Sequence, residues 1–153
     1  MKANNGSGNL SERDEWETPN WLFDILNKQY NFSIDCCSTK NNTKCIGRFK
    51  DFLLHIGDNR YVYWINPPFS KAKEILEHFF KIVNRGVGIY RCDNLETFIW
   101  QKIIFTKVDW VFIPDKRIAY EGLIGGGCRF PSALFGVNLP PPKNINGTLL
   151  KIK

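Results

Sequence analysis

A five-residue apolar run that stops at two consecutive prolines constrains the fold of this chain more than any other feature. Residues 61–65, with the sequence YVYWI, are aromatic and β-branched, which is typical of a strand buried on both faces. The run ends at Asn66-Pro67-Pro68-Phe69, and apolar residues then recur at helical spacing over residues 75–83, with Ser70 placed to cap that helix. A buried strand joined by a tight turn to an amphipathic helix indicates an α/β sheet.

The same alternation of helix and strand runs along most of the chain. Apolar spacing predicts a helix with Thr18 as its cap and Pro19 at its first position, and another around residues 98–104. Short apolar runs predict further strands at residues 32–35, 87–90, 110–113 and 133–137. We therefore expect a compact Rossmann-like α/β fold with a mostly parallel sheet and helices on both faces. In such sheets ligands bind beyond the carboxyl ends of the strands, where Asp35 and Asn66 fall.

Length and composition are those of one globular domain. The chain has 153 residues, and its 43% hydrophobic and 24% charged content excludes collagen-like, coiled-coil and wholly disordered classes. The 21 Lys and Arg residues against 15 Asp and Glu residues leave a net charge of +6, which suits a polyanionic partner without proving one. We expect a disordered arm over residues 1–13, the folded domain over residues 14–139, and an extended tail over residues 140–153.

Neither a membrane span nor a metal site is expected. No stretch approaches the roughly 20 apolar residues that cross a bilayer, and the first fifteen residues lack the apolar core of a signal peptide, so we expect a cytoplasmic protein. The five cysteines form no paired C-x-x-C motif, and His55 and His78 are far from any cysteine pair.

The turn after the central strand carries groups suited to the methylation of an amine. The exocyclic amine of a nucleobase is a poor nucleophile because its lone pair is delocalised into the ring. Two acceptors, the Asn66 side-chain oxygen and the Pro67 carbonyl, can draw the nitrogen towards tetrahedral geometry and free that lone pair. Prolines fix the turn, and Phe69 can stack on the base. By itself the tetrapeptide is better explained as a plain strand-ending turn with Phe69 in the core, since short motifs recur freely, and it is the surrounding segments that favour the catalytic explanation.

Several segments taken together resemble one enzyme family. Asn66-Pro67-Pro68-Phe69 matches the Asp/Asn/Ser-Pro-Pro-aromatic signature of the amino-methyltransferases. The segments DEWETP at residues 14–19, IDCC at 34–37, Lys44-Cys45 and WINPPFS at 64–70 are similar to the phage DNA N-6-adenine methyltransferase family. The resemblance covers residues 14–137. It implies a methyl transfer from S-adenosylmethionine to N6 of an adenine flipped out of DNA.

The resemblance also implies roles for individual residues. The catalytic turn is Asn66, Pro67, Pro68 and Phe69. The residues that match cofactor-binding elements are Thr18, Pro19, Asp35, Cys36, Asp51 and Phe52. Thr18 and Pro19 would lie against the methionine end of the cofactor, Asp35 would hold its ammonium group, and Asp51 would accept from its adenine amine. An amphipathic turn explains Asp51-Phe52 equally well. The first cofactor loop departs from the family pattern, because Cys36-Cys37-Ser38 stands where relatives usually carry a glycine.

Basic residues near the turn and near the glycine-rich loop 122–127 are candidates for contact with DNA. The candidates are Ser70, Lys71, Arg117 and Arg129, and Lys73, Lys116 and Lys143 can extend that surface. These side chains are equally well explained as charges that keep the protein soluble. The chain has no room for a separate recognition domain, so we expect sequence selectivity to be modest or to come from loops such as residues 121–129.

Two other functions stay open on the sequence alone. Asn-Pro-Pro-aromatic turns also serve enzymes that methylate RNA adenine or a protein glutamine amide. A catalytically silent, basic DNA-binding module with a methyltransferase fold would explain the missing glycine and the short cofactor region.

Overall fold

The fold is described from a computed structural model. It describes residues 16–38, 43–45, 47–49, 51–121 and 128–153, and of Cys128 and Arg129 it describes the backbone alone. The predicted N-terminal arm, residues 14 and 15 of the DEWETP segment and the glycine-rich loop 122–127 lie outside the described residues.

A seven-stranded sheet forms the centre of the protein. In chain order the strands of the described residues are β1 (Ile34–Asp35), β2 (Gly47–Arg48), β3 (Tyr63–Ile65), β4 (Gly86–Arg91), β5 (Trp110–Pro114), β6 (Ile118–Tyr120), β7 (Cys128–Phe130), β8 (Ser132–Val137) and β9 (Gly147–Lys151). The large sheet has the order β2-β1-β3-β4-β8-β5-β9, and β6 and β7 form a separate two-stranded ribbon.

The pairings divide this sheet into a parallel half and an antiparallel half. β1 pairs in parallel with β2 and β3, and β3 with β4. β8 lies antiparallel between β4 and β5, and β9 is antiparallel to β5. β1 to β5 therefore share one direction, and β8 and β9 run the other way. The α/β class is confirmed, but the sheet is mixed. A parallel neighbour needs a crossover, usually helical, and the chain between β5 and β8 carries the β6–β7 ribbon instead.

Helices cover both faces of the sheet, as expected. They are α1 (Asn20–Tyr30), α2 (Ala72–Ile82), a π-helix (Ile99–Ile104) and the single turn α3 (Phe105–Lys107). Leu22 and Leu26 of α1 pack on the face that carries Trp64, whereas Leu76 of α2 packs on the face that carries Ile65. Neighbouring residues of β3 thus point to opposite cores, as the two-residue period of a strand requires.

Both predicted helix caps are wrong. α1 begins at Asn20 after Pro19, and the Thr18 side chain makes no capping hydrogen bond. α2 begins at Ala72 after Lys71, because a 3₁₀ turn at Phe69–Lys71 comes first and Ser70 lies within that turn. Thr18 does not cap α1 because its hydroxyl accepts a hydrogen bond from the distant Asn66 side chain.

The last strand was not predicted. The sequence indicated an extended segment after Pro140, and residues 147–151 form β9, which pairs along β5 at the edge of the sheet. The domain boundaries stay a prediction. Over the described ranges, no helix is both long and apolar enough to span a membrane.

Candidate active site

The carboxyl ends of β1, β3 and β4 bring three polar side chains to one edge of the sheet. Because these strands are parallel neighbours, Asp35 at the end of β1, Asn66 after β3 and Arg91 at the end of β4 all lie at that edge. We refer to it below as the carboxyl edge. The sequence predicted the first two positions. The parallel pairing of β1 with β3 is what brings them together.

Asn66 is held by the segment that precedes α1. Its Nδ2 atom donates to the Thr18 hydroxyl at 3.2 Å and lies 3.5 Å from the Trp16 carbonyl oxygen. A carbonyl oxygen can only accept, so the amide nitrogen must point towards this segment. Within the described part of the chain both hydrogen bonds of the side chain use Nδ2. Oδ1 is therefore available as an acceptor for a ligand, as the predicted chemistry requires.

The two prolines make a rigid corner next to Asn66. Pro67 is buried and Pro68 is half-buried with φ −63° and ψ 138°, which is extended backbone. The Pro68 carbonyl accepts from the Lys71 amide at 3.2 Å and closes the 3₁₀ turn. Since proline has no amide hydrogen, the corner presents carbonyl groups without competing backbone donors.

Phe69 is half-buried in a group of aromatic rings. Its ring centroid lies 5.4 Å from that of Phe130 and 6.2 Å from those of Trp16 and Tyr90. The Arg91 guanidinium lies 5.7 Å from the Phe69 centroid and 5.1 Å from the Phe130 centroid. Phe69 is thus part of an aromatic cluster that continues into both cores, and its side chain is only partly buried there.

Asp35 is a buried carboxylate. Its residue is 4% exposed, and burial raises the pKa of the carboxyl to about 6. Backbone hydrogen bonds from Lys44, at 3.0 Å, and from Cys37 offset part of that effect. A buried anion of this kind is stabilised by a cationic group placed beside it.

Lys44, whose backbone amide donates to Asp35, also places its ammonium group near this carboxylate. Its ammonium donates to the Asn20 side-chain oxygen at 2.7 Å and lies 3.5 Å from a Glu17 carboxylate oxygen. Glu17 is itself fixed, because its backbone forms an antiparallel bridge with Glu121. The segment before α1 is therefore tied to the end of β6 as well as to the site.

A small cavity of about 30 Å³ lies among these groups. It is lined by Trp16, Glu17, Thr18, Asp35, Cys37, Ser38, Lys44, Trp64 and Asn66. The structure thus brings together three of the predicted site residues, Thr18, Asp35 and Asn66. The sequence analysis assigned no role to Trp16 or Lys44, although both belong to segments that carry the family resemblance.

Comparison with known proteins identifies the family. The sequence profile described as "DNA N-6-adenine-methyltransferase (Dam)" matches residues 7–123. The chain belongs to the Dam family. It is also 35% identical over 65 residues to the DNA N-6-adenine-methyltransferase of Haemophilus phage HP1 (strain HP1c1). That alignment spans 39% of this chain and 37% of the phage protein, so the chain covers well under half of that relative. The suspected family and fold are confirmed.

The residues of this Dam-family chain fit one end of the family's cofactor, S-adenosylmethionine. The fit rests on Asp35, a buried carboxylate that can pair with an ammonium or sulfonium cation. The cavity beside it, about 30 Å³, is far smaller than the several hundred Å³ of a pocket for a whole cofactor of this size, so it has room for one small charged group of the amino-acid end. Cys36 is 1% exposed and packs in the core on the α2 side. Burial raises the pKa of its thiol, so only the backbone of Cys36 is suited to a role in binding.

Asp51 and Phe52 lie apart from the small cavity. Asp51 caps the 3₁₀ turn Phe52–Leu54 by accepting from the Leu53 amide at 3.1 Å, and Phe52 is buried against Phe49 and His78. Asp51 lines a second, open cavity of about 850 Å³ together with residues such as Lys71. Asp51 follows β2 and Lys71 follows β3, and both strands are parallel to β1. This second cavity therefore also lies at the carboxyl edge.

The predicted DNA contacts are exposed where they are described. Ser70, Lys71 and Arg117 lie at the surface, and the side chain of Arg129 lies outside the described part of the chain. Lys73, Lys116 and Lys143 are exposed as well. Within the described ranges, no group of three or more His, Cys, Asp or Glu side chains is placed to hold a metal ion.

Proposed function

We propose that this chain transfers the methyl group of S-adenosylmethionine to N6 of adenine in DNA. The observation that carries the proposal is the position of Asn66. Asn66 comes directly after the central parallel strand β3, and its Nδ2 atom donates a hydrogen bond to the Thr18 hydroxyl. Its side chain lines a cavity that the buried Asp35 also lines. Membership of the Dam family supports the same reaction.

Asn66 and Pro67 hold the target amine. Asn66 Oδ1 accepts from one amine hydrogen and the Pro67 carbonyl accepts from the other, which directs the nitrogen lone pair away from the ring. The Thr18 hydroxyl fixes which end of the Asn66 amide faces the substrate, since it accepts from Nδ2 at 3.2 Å. No strong base is needed, because a methylated amine of this kind loses its proton readily.

The adenine must leave the duplex to reach these acceptors. Phe69 forms the stacking surface for the flipped base, and its ring is held by Phe130, Trp16 and Tyr90. The Arg91 guanidinium lies 5.7 Å from the centroid of the same ring. Ser70, Lys71, Arg117 and Arg129 are the proposed contacts to the DNA backbone.

Asp35 holds the cationic amino-acid end of the cofactor, with Thr18, Pro19 and the backbone of Cys36 around it. Bound S-adenosylmethionine supplies an electrophilic methyl group. Asp51, in the second cavity, is the proposed acceptor for the adenine amine of the cofactor, with Phe52 packed behind it.

The test is methyl transfer from labelled S-adenosylmethionine to DNA, with Asn66→Ala and Asn66→Asp compared at equal folded concentration. Asn66→Ala should reduce turnover by at least 100-fold, because one of the two acceptors on the amine is lost. Asn66→Asp keeps an oxygen at that position and should retain more activity than the alanine variant. Full activity of Asn66→Ala would contradict the proposal. RNA and a glutamine-containing protein, offered in parallel, should remain unmethylated.

The small cavity favours a second candidate, a DNA-binding module without catalysis. A space of about 30 Å³ beside Cys37 and Ser38, where a glycine would allow a closer approach, leaves little room for a ligand. Calorimetry separates the two candidates. Saturable binding of S-adenosylmethionine supports the enzyme, and no heat of binding at millimolar cofactor supports the module.

A further inference from the structure

A half-exposed tryptophan lies on the outer side of α1, apart from the proposed catalytic groups. The Trp21 residue is 51% exposed, and Ile25, one helical turn later, lies beside it. Both line a cavity of about 340 Å³ whose other walls include Lys116, Asn144 and Asn146. An exposed indole at the rim of a cavity with apolar and polar walls is typical of a surface on which a planar ligand stacks.

This cavity lies at the same edge of the sheet as Asn66. The Thr18 side chain is hydrogen-bonded to Asn66. Trp21 is three residues after Thr18, so the Cα atoms of these two residues lie within about 11 Å of each other. β5 runs in the same direction as β3, and Lys116 and Arg117 follow its carboxyl end. The cavity and the proposed catalytic turn therefore both lie at the carboxyl edge of the sheet.

The charges around the cavity favour a polyanion. Lys116 lines it, and the exposed Arg117 and Lys143 stand next to lining residues along the chain. Asp115 is the one acid among the lining residues, and its backbone amide is bonded to the Asn146 carbonyl at 3.0 Å. Counted in the same way, the acids are Asp115 and the exposed Asp24 next to Ile25. Three cations thus stand against two acids around an exposed aromatic ring, and this net positive charge suits an unpaired nucleotide.

We infer that this cavity binds a nucleotide that flanks the target adenine on the substrate DNA strand, within about three positions of it, with its base stacked on Trp21 and its phosphate beside Lys116 and Arg117. We call these three residues the flanking-nucleotide site. The Cα atoms of Thr18 and Trp21 are at most about 11 Å apart, which equals about three steps of a stacked strand at 3.4 Å each, so a nucleotide up to about three positions from the flipped base is within reach of the indole. The inference rests on the proposed function for the identity of the ligand, since DNA is the substrate named there.

Equilibrium binding of a labelled single-stranded adenine-containing oligonucleotide, followed by fluorescence anisotropy without cofactor, tests the stacking. Trp21→Ala should weaken binding about tenfold, because the stacking of one base on the indole is lost. Trp21→Phe keeps a ring and should bind within about threefold of the unchanged protein. Phe98→Ala is the matched control. Phe98 is 54% exposed beside Lys73, whose ammonium lies 4.9 Å from the ring, and this aromatic–lysine pair lies away from the cavity. Unchanged affinity of Trp21→Ala, or an equal loss in Phe98→Ala, would overturn the inference.

The salt dependence of the same binding reaction tests the phosphate contacts. Lys116→Ala and Arg117→Ala should each lower the slope of log affinity against log salt by about one, irrespective of oligonucleotide sequence. Lys81→Ala, an exposed lysine on α2, should leave the slope unchanged. A slope that is unchanged in the Lys116 and Arg117 variants contradicts the inference. Thermal melting checks that each variant is folded.

These outcomes distinguish the flanking-nucleotide site from the proposed function. The anisotropy experiment needs neither cofactor nor turnover. If binding depends on Trp21 but no methyl transfer occurs, the proposed activity is contradicted and the flanking-nucleotide site is supported. Methyl transfer by a Trp21→Ala variant with unchanged DNA affinity would defeat the flanking-nucleotide site alone.

Discussion

Asp35→Asn removes a buried negative charge from the proposed cofactor site and keeps the shape of the side chain. Burial raises the pKa of Asp35 from 3.8 to about 6. The folded protein therefore binds this proton more tightly than the unfolded chain does, and protonation stabilises the fold. The destabilising effect of the ionised carboxylate is absent below pH 3.8, develops between pH 3.8 and 6, and is complete above pH 6.

The size of this effect follows from the two pKa values. Each tenfold change in proton affinity is worth about 1.4 kcal/mol, so the ionised carboxylate costs about 3 kcal/mol of folding free energy above pH 6. Asparagine avoids that cost. Its oxygen can still accept from the Lys44 amide, while the loss of the hydrogen bond from the Cys37 amide costs about 1 kcal/mol. We expect Asp35→Asn to be more stable than the unchanged protein by about 2 kcal/mol at pH 7.5, with the advantage gone near pH 4.

Urea unfolding of both proteins at pH 7.5 and pH 4 measures this difference, because pH effects that Asp35 does not cause cancel between them. The free-energy difference between variant and unchanged protein should grow by roughly 2 kcal/mol from the lower to the higher pH. A difference that is the same at both values would refute the reasoning, since it would mean that the carboxylate carries no burial penalty.

The same substitution should weaken binding of S-adenosylmethionine while it stabilises the fold. In the unchanged protein the cofactor needs an ionised Asp35, so its affinity should fall about tenfold between pH 7.5 and pH 5, as the carboxyl with a pKa of about 6 takes up its proton. Calorimetric affinities of Asp35→Asn should be lower and independent of pH over this range. Equal pH dependence in both proteins would mean that another group binds the cation.

Three further substitutions test the surroundings of the catalytic turn. Thr18→Val leaves the Asn66 amide without its hydroxyl acceptor, and it should lower the free energy of unfolding by about 1–3 kcal/mol and turnover about tenfold, measured by urea unfolding and steady-state kinetics. Arg91→Gln removes the cation beside the Phe69 ring and should raise KM for DNA several-fold, with Arg91→Lys restoring part of it in the same assay. Gly88→Ala places a Cβ 2.5 Å from a methyl carbon of Ile65, the residue before Asn66 of the proposed catalytic turn, and thermal melting should show that the free energy of unfolding falls by about 1–3 kcal/mol.

The parts of the site that could be predicted from the sequence are those that local pattern determines. Asp35 and Asn66 each follow a short apolar run, and parallel strands end at a common edge, so their proximity followed from the α/β pattern. Thr18 shows the limit of that approach. Its position just before a predicted helix indicated a helix cap. In the structure its hydroxyl instead accepts a hydrogen bond from the side chain of Asn66, 48 residues away in sequence.

The parts that could not be predicted depend on long-range pairing. β9 contains only two apolar residues in a row, at the edge of the sheet, and its strand character comes from the hydrogen bonds that β5 offers. The reversed direction of β8 likewise depends on the β6–β7 ribbon, which gives no strong signal in the sequence. The resemblance to the Dam family supplied the chemistry of the turn, which apolar spacing alone cannot reveal.

The place of β8 in the sheet sets an order on the folding of a nascent chain. β4 and β5 are not neighbours, and each pairs with β8, whose residues 133–136 are fully covered. Until the ribosome has released Ser132–Val137, the inner edges of both earlier strands lack their partner, and their apolar side chains stay open to solvent or to other chains. The parallel half that carries Asn66 is made first along the chain, yet the sheet is joined only once this late strand has entered between its two neighbours.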